Sequence, residues 1–434
     1  MTSQLVEEAQ NLFLQGKFSA AQALLSPLLS TAPEHVDALQ VLGLIAQQER
    51  NMERALEHLT RAAQLAPARP DLLTNLGNLL RALERREEAL PHLERAARLA
   101  PDHAMIHINL GLVHQDMHQL KAAETAFRTA LELQPNLAAA HQNLGHLLML
   151  SDLPQARAHL IRALQLSPGL HAAFKDLCAV LISLGEPAPA LTLCTARLQK
   201  VPSDQDALAM MALALRELGR GTEADRLVDC EVWLKNYALA PPPGYNSIEE
   251  FNAALEAHVL QHPKLTSILF AQATHHGKRV NDLLEEPKGP IRLMEQMMMR
   301  QIQVYLNALP KLSEHPFFAQ PMPSQAHLRS WAVLMERHGY ETPHIHPDGF
   351  ISGVYYVRLP EVVAKDDASY SGWIEFGTPD PVFATRSTAP TRKVQPVAGT
   401  MLLFPSYFWH RTIPFDSAEE RLSIAFDLTG ASIS

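Results

Sequence analysis

The stretch TPHIHPDGFISGVYYV, residues 342–357, sets His344, His346 and Asp348 at alternate positions. Imidazole and carboxylate are the usual ligands of transition metals, and side chains two apart on a strand share a face. Three donors on one face are one more than a strand edge normally contributes. A fourth candidate, His410, ends the strand-like run GTMLLFPSYFWH about sixty residues on, and Arg421 and Ser423 open RLSIAFD eleven residues later.

Two ligands close together plus one distal histidine can occupy one face of an octahedral iron. Three positions then remain for a bidentate co-substrate and O2. A planar arginine such as Arg421 would grip the far carboxylate of a 2-oxo acid in two-pronged fashion, with the Ser423 hydroxyl as a third hydrogen bond. The donor set is open at this level. His346, Asp348 and His410 form a two-histidine, one-carboxylate set; His344, His346 and His410 form a three-histidine set. Pro347 and Gly349 flank Asp348, so a turn is expected there with the aspartate capping it. Without a metal, the same residues would be a polar strand end. Tyr355 and Tyr356 alternate faces, so one of them points toward the cavity. Trp373 and Trp409 read as packing, and His275 and His276 as surface residues near the pocket mouth.

These residues need strands to hold them. HLRSWAVLM, FISGVYYVRL, GWIEFG, RKVQPV, GTMLLFP and RLSIAFDLT read as strands separated by Pro, Gly and Asp clusters, which suggests a β-sandwich or jelly roll. Residues 248–260 and 289–308 read as helices packed on that sheet, with the Met run at 297–299 as core filler.

The first half follows a different rule. Pro33, Pro67, Pro101, Pro135, Pro168 and Pro202 recur at steps of 33 or 34 residues. Leu-Gly pairs recur at Gly43, Gly77, Gly111 and Gly145, and alanines at 55, 89, 123, 156 and at 62, 96, 130, 163. Small residues let two helices approach, and the proline stops the second helix before the next repeat begins. This period resembles the tetratricopeptide repeat: six clear repeats to about residue 203, then a weaker seventh at 205–238. Asn75, Asn109 and Asn143 occupy one column of three successive repeats. An amide ladder there can hold the backbone of an extended peptide, or bond locally within the array. The pairs His103/His107 and His114/His118 lack an accompanying carboxylate motif and read as surface residues.

The formal net charge is −9 with no Lys/Arg-rich run, which argues against nucleic acid as a partner. The N-terminus does not read as a signal peptide, and no run of 18 apolar residues suggests a membrane span. Three unpatterned cysteines fit a reducing cytoplasm.

Taken together, HIHPDGFISGVYYVRLP, GTMLLFPSYFWHRT and RLSIAFD resemble the iron(II)/2-oxoglutarate-dependent oxygenases, specifically the family often attached to tetratricopeptide repeats in bacteria. The narrower family pattern Pro-His-x-His-Pro-x-Gly is matched by Pro343, His344, His346, Pro347 and Gly349. Aspartyl/asparaginyl β-hydroxylases, whose ligand follows the proline, point the same way and make His344 the first ligand. The resemblance therefore implies His344, His346 and His410 as metal ligands, with Asp348 in place of His344 as the alternative, and Arg421 and Ser423 as the 2-oxoglutarate site.

The expected fold class is α+β multidomain. Residues 1–240 would form an all-α tetratricopeptide-repeat superhelix, 241–324 a linker with supporting helices, and 325–434 a double-stranded β-helix, or jelly-roll, oxygenase core. The expected activity is an Fe(II)- and 2-oxoglutarate-dependent dioxygenase hydroxylating a protein or peptide recruited through the repeat groove at Asn75, Asn109 and Asn143. The alternatives are a non-catalytic repeat scaffold and a cupin-like three-histidine oxygenase independent of 2-oxoglutarate.

Overall fold

A computed structural model of the protein describes residues 2–49, 51–267, 273–286, 288–310, 315–318, 326–365 and 368–430. Contact density divides the chain into two compact units, Met1–Leu177 and Cys178–Ser434.

Among the described residues, helical hairpins follow one another along the first half. They are α1 (Thr2–Leu14) with α2 (Phe18–Thr31), α3 (Val36–Gln48) with α4 (Met52–Leu65), α5 (Pro70–Ala82) with α6 (Arg86–Leu99), and α7 (Ala104–Asp116) with α8 (Leu120–Leu133). Then come α9 (Ala138–Leu148) with α10 (Leu153–Leu166), α11 (His171–Ser183) with α12 (Pro187–Lys200), and α13 (Gln205–Glu217) with α14 (Gly221–Val228). Each periodic proline stands two residues beyond the second helix of its hairpin. The periodic alanines are fully buried. The glycines have an equally direct cause. A Cβ added at Gly43, Gly77, Gly111 or Gly145 would lie 2.5–2.7 Å from Leu59, Leu93, Phe127 or Leu160 of the partner helix. In the first unit α1 packs on α3, α5 on α7, and α7 on α9, so first helices of successive repeats form a layer.

The seventh repeat stops short. The α14 helix has 8 residues where α12 has 14. Asp229 ends it and restarts the chain: its carboxylate accepts the backbone N–H groups of Glu231 and Val232, capping α15 (Cys230–Trp233). The next segment, β1 (Lys235–Ala238), is a strand of the sheet, paired with residues 400–403. Residues 229–238 therefore do not continue the repeat as the sequence suggested. The late helices fall in the same compact unit as the sheet, and the boundary between the two units lies within α11. Tyr407 and Tyr305 donate hydrogen bonds to the carbonyls of Leu227 (2.6 Å) and Trp233 (2.7 Å), giving the end of the repeats fixed partners in that unit.

The second unit continues with α16 (Ile248–Leu260), β2 (Thr266–Ser267), β3 (Thr274–Val280), α17 (Ile291–Ala308), β4 (Ala326–His344), β5 (Gly349–Arg358), α18 (Glu361–Ala364), β6 (Ile374–Phe376), β7 (Arg392–Val394), β8 (Thr400–Pro405), β9 (His410–Thr412) and β10 (Arg421–Gly430). The strands join antiparallel in the order β1-β8-β5-β10-β4-β9-β6-β7, with β3 added on β4 and β2 on β3. Phe404 on β8 meets His410 on β9 at 4.8 Å and Phe376 on β6 at 5.0 Å, although these strands are well separated in that order. The sheet therefore curls back on itself, as in a jelly roll. No helix among the described residues is long and apolar enough to cross a membrane.

Two strand expectations need correction. The first strand runs on from 335 to His344, and 274–280, which carries His275 and His276 and is not among the strands read from sequence, is strand β3 paired with β4. The proposed sharing of one strand face by His344, His346 and Asp348 also fails. Strand β4 ends at His344, and the chain turns through 346–349 with the Gly349 N–H donating to the His346 carbonyl at 3.1 Å. Proline at the second turn position favours that bend. Residues 311–314 and 319–325 of the supporting segment lie outside the described residues. In α17, Met298 is buried and Met299 exposed, so the Met run is only partly core.

Candidate metal centre

The ends of β4 and β9 lie side by side, with His344 paired directly to His410. His346 comes in from the turn. Its N–H donates to the Ser406 carbonyl (2.9 Å), and its ring is turned toward the other two. Ring centroids are 4.3 Å apart for His344 and His410, 5.1 Å for His346 and His410, and 5.2 Å for His344 and His346. One nitrogen from each ring lies within 4.8 Å of the others. Two imidazole nitrogens bound to one ion at about 2.1 Å lie about 3–4 Å apart, so the set is of the right scale for a metal.

The second ring nitrogen explains the orientation. Nδ1 of His344 is 2.8 Å from the Thr342 carbonyl, Nδ1 of His410 is 2.9 Å from the Phe408 carbonyl, and Nδ1 of His346 is 2.6 Å from an Asp427 carboxylate oxygen. Carbonyl and carboxylate oxygens only accept, so each Nδ1 carries the proton and donates it. Each Nε2 lone pair is left free, the tautomer a metal requires. Burial, together with the neighbouring imidazoles, pushes His410 well below its ordinary pKa. Burial and His346 lower His344, against the opposing charge of Glu341. His346 moves upward: burial opposes its charged form, but the adjacent Asp427 carboxylate outweighs it.

A cavity of about 290 Å³ opens beside the cluster, and Arg421, Ser423, Trp331, Arg279 and Glu341 share its wall. The Arg421 guanidinium is buried on β10, with Nη1 3.3 Å from Ser423 Oγ and its plane 5.3 Å from the Tyr356 ring centre. Among the described residues no carboxylate lies within ion-pair distance of it, and neither Arg421 Nε nor the Tyr356 hydroxyl has a hydrogen-bond partner. A buried cation with no carboxylate in contact is disfavoured unless something anionic visits it. Glu341 does not fill that role at contact distance; it accepts hydroxyl donations from Thr274 (3.0 Å) and Thr412 (2.8 Å). Burial disfavours its charge, yet His344, Arg421 and the two hydroxyls hold the Glu341 carboxyl below its usual range.

The remaining candidates separate from the centre. The Asp348 side chain is 84% exposed and lies 3.7 Å from Arg329. Of the tyrosine pair, Tyr355 turns outward and donates to Asn252 on α16 at 2.6 Å, whereas Tyr356 stands with Arg421. Trp373 donates to the Val363 carbonyl, Trp409 packs on Phe383, and His275 stacks on Tyr340. In the array, His103 and His118 are exposed, and His107 and His114 bond locally. Asn75, Asn109 and Asn143 stand half-buried on α5, α7 and α9, and their amides make no hydrogen bond among the described residues.

Sequence reasoning missed Asp427, Glu341, Ser352 and Ser406. A usable signal existed for the first. In RLSIAFD the alternation that puts Arg421 and Ser423 on one face continues through Ala425 to Asp427, and all four line the cavity.

Comparison with known proteins finds matches in both halves of the chain. Residues 329–427 match the family model described as "Putative 2OG-Fe(II) oxygenase", and residues 6–70 and 68–136 match tetratricopeptide-repeat models. The chain thus carries tetratricopeptide repeats followed by a segment that matches that oxygenase model. No curated protein matches it in sequence. Among solved structures it is similar to PilF of Pseudomonas aeruginosa, at 20% identity over 53% of this chain and 96% of that one, with a TM-score of 0.42. It is also similar to a thermophilic tetratricopeptide-repeat protein of Thermus thermophilus, at 23% identity, 42% and 99% coverage and a TM-score of 0.37. YrrB, a tetratricopeptide-repeat protein with an unusual peptide-binding site, shares 22% identity over 39% and 88%, with a TM-score of 0.34.

Proposed function

We propose that the C-terminal half is an iron(II)- and 2-oxoglutarate-dependent dioxygenase in which His344, His346 and His410 hold the metal through Nε2. Arg421, with Ser423, binds the distal carboxylate of the 2-oxo acid. The observation that carries this reading is the buried Arg421, without an acid partner, in the same cavity as three imidazoles whose Nε2 atoms are free. Iron(II) there supplies O2 activation coupled to decarboxylation of 2-oxoglutarate, oxidising a substrate C–H bond and yielding succinate and CO2. The chain's own residues position and exclude. The Thr342 and Phe408 carbonyls and Asp427 lock the imidazoles, and Phe404 and Phe376 cover His410 on one side. The Tyr356 hydroxyl is a further donor for the bound carboxylate. The intact arginine weighs against a vestigial scaffold, and equally against an oxygenase that needs no 2-oxo acid.

The repeats are proposed to recruit a protein or peptide substrate. Asn75, Asn109 and Asn143 would each donate to and accept from an extended backbone, at about 0.5–1.5 kcal/mol per bond. The triple Asn→Ala variant is expected to melt normally and to lose captured partners; a much lower melting temperature would make these amides structural.

The deciding experiment is an anaerobic iron(II) titration with and without 2-oxoglutarate, following the weak visible metal-to-ligand charge-transfer band. Appearance of the band only with both components supports the reading. Iron binding with no response to 2-oxoglutarate returns the site to the cupin-like alternative.

A further inference from the structure

We infer that Asp427 is a positioning residue of this centre: through His346 it supplies the negative charge that a three-histidine set lacks. The inference rests on the metal reading above and deepens it.

The three imidazoles are not held alike. His344 and His410 rest on neutral backbone carbonyls two residues before them. His346 alone rests on a carboxylate, 81 residues away in sequence, at 2.6 Å. A carbonyl fixes a tautomer. A carboxylate also draws on the Nδ1 proton and pushes electron density toward Nε2, which strengthens the ring as a ligand. The usual facial set of this chemistry contains one carboxylate among its ligands. Here Asp348, nearest in sequence for that place, faces out toward Arg329, and the buried carboxylate stands behind a ligand instead of being one.

Asp427 is placed to do this. It is 8% exposed, on β10 with Arg421 and Ser423. The oxygen facing His346 also accepts the Ser352 hydroxyl at 2.7 Å, and Ser352 Oγ lies 2.8 Å from Ser406 Oγ. Ser406 is the residue whose carbonyl holds the His346 backbone. The network therefore fixes both the main chain and the ring of one ligand. The titratable group in contact with Asp427 is the His346 imidazole, while Arg279, on the wall of the same cavity, adds a longer-range attraction. Close packing keeps the arrangement tight: a Cβ at Gly349 would lie 2.4 Å from Ser406 Oγ.

The test uses the full chain under anaerobic conditions with Co(II) alone as probe, so that 2-oxoglutarate turnover plays no part. Asp427→Asn keeps the shape and an acceptor oxygen but removes the charge. It should weaken Co(II) binding about 10–100-fold with an unchanged far-UV spectrum. In a His346→Gln background the same change should have no further effect, because its path to the metal is gone. Asp427→Ala should regain part of its affinity when formate is added. Co(II)-loaded wild type should show three hyperfine-shifted, exchangeable imidazole N–H signals, a measurement that needs no substitution to fold. Affinity within about twofold of wild type for Asp427→Asn, additive losses with His346→Gln, or fewer than three N–H signals would each overturn the inference. Wild type that binds Co(II) but not 2-oxoglutarate removes the oxygenase reading and leaves the role of Asp427 standing. Wild type that fails to bind Co(II) removes both.

Discussion

The repeat array and the jelly roll solve different problems with the same chain. In the array each buried Ala or Leu meets a neighbour in its own hairpin or the next one, and the same contact recurs 34 residues on. Loss of one contact is then shared among similar ones. In the jelly roll, one small volume collects the ends of β4 and β9, a turn, and one face of β10. No residue there has a copy elsewhere. A substitution in the array should lower stability by degrees, while one at the centre should remove a function and leave the fold largely in place.

The sharpest break of that contrast is at the ligands. His410→Ala and His344→Ala should each abolish measurable iron(II) binding, whereas Asp348→Ala retains most of it, all three followed by anaerobic titration on folded protein. If Asp348→Ala loses iron and His344→Ala keeps it, the two-histidine, one-carboxylate set is correct. Next in size, Arg421→Gln should weaken 2-oxoglutarate about a hundredfold or more and leave iron affinity nearly intact, because a bidentate charged contact is lost from a dry cavity. Unchanged 2-oxoglutarate affinity would leave the buried guanidinium unexplained.

One histidine in each region should respond to acid in opposite directions. His315 in the second unit is 4% exposed, and its Nδ1 accepts the backbone N–H groups of Phe317 and Phe318. Trp233 and the Tyr407 hydroxyl face it, and burial pushes its pKa down to about 4. The unfolded chain, near 6.5, therefore binds the proton more readily than the folded one. Stability of this unit should fall as pH drops from about 6.5 to 4, by up to about 3 kcal/mol. His315→Asn should flatten that part of the stability curve in chemical denaturation. In the array, a hydrogen bond from His146 to Asp176 raises the histidine pKa against burial. That contribution is complete below 6.5 and fades as pH rises through the elevated folded value. It is small, since the His146 side chain is half-exposed.

A smaller test addresses repetition itself. Gly111→Ala forces a methyl to 2.5 Å from the Phe127 ring and should cost about 1–3 kcal/mol in thermal melts. Gly77→Ala, against Leu93, should cost a similar amount, and the two should add, since they lie in separate hairpins. Strong non-additivity would mean that the array behaves as one tight core rather than as a series of units.

Much of this protein is legible in the amino-acid order alone. A 34-residue period needs only nearest-neighbour packing, so glycine, alanine and proline columns in the sequence are contacts in the structure. The strands of RLSIAFD and FISGVYYV also follow from alternation, and so do the faces of Arg421 and Ser423. The sequence brought His344, His346, Asp348 and His410 forward as donors but could not rank them, because spacing specifies a face and not a partner. The ranking depends on where β4 stops. It ends at His344, so His346 and Asp348 fall in a turn and point apart, one toward Asp427 and the other toward Arg329. In the same way, residues 235–238 carry no mark of a strand until β8 lies beside them. The cause is the same in both cases. Hydrogen-bond partners more than 60 residues apart are chosen by how the sheet closes, and local pattern holds no information about that closure.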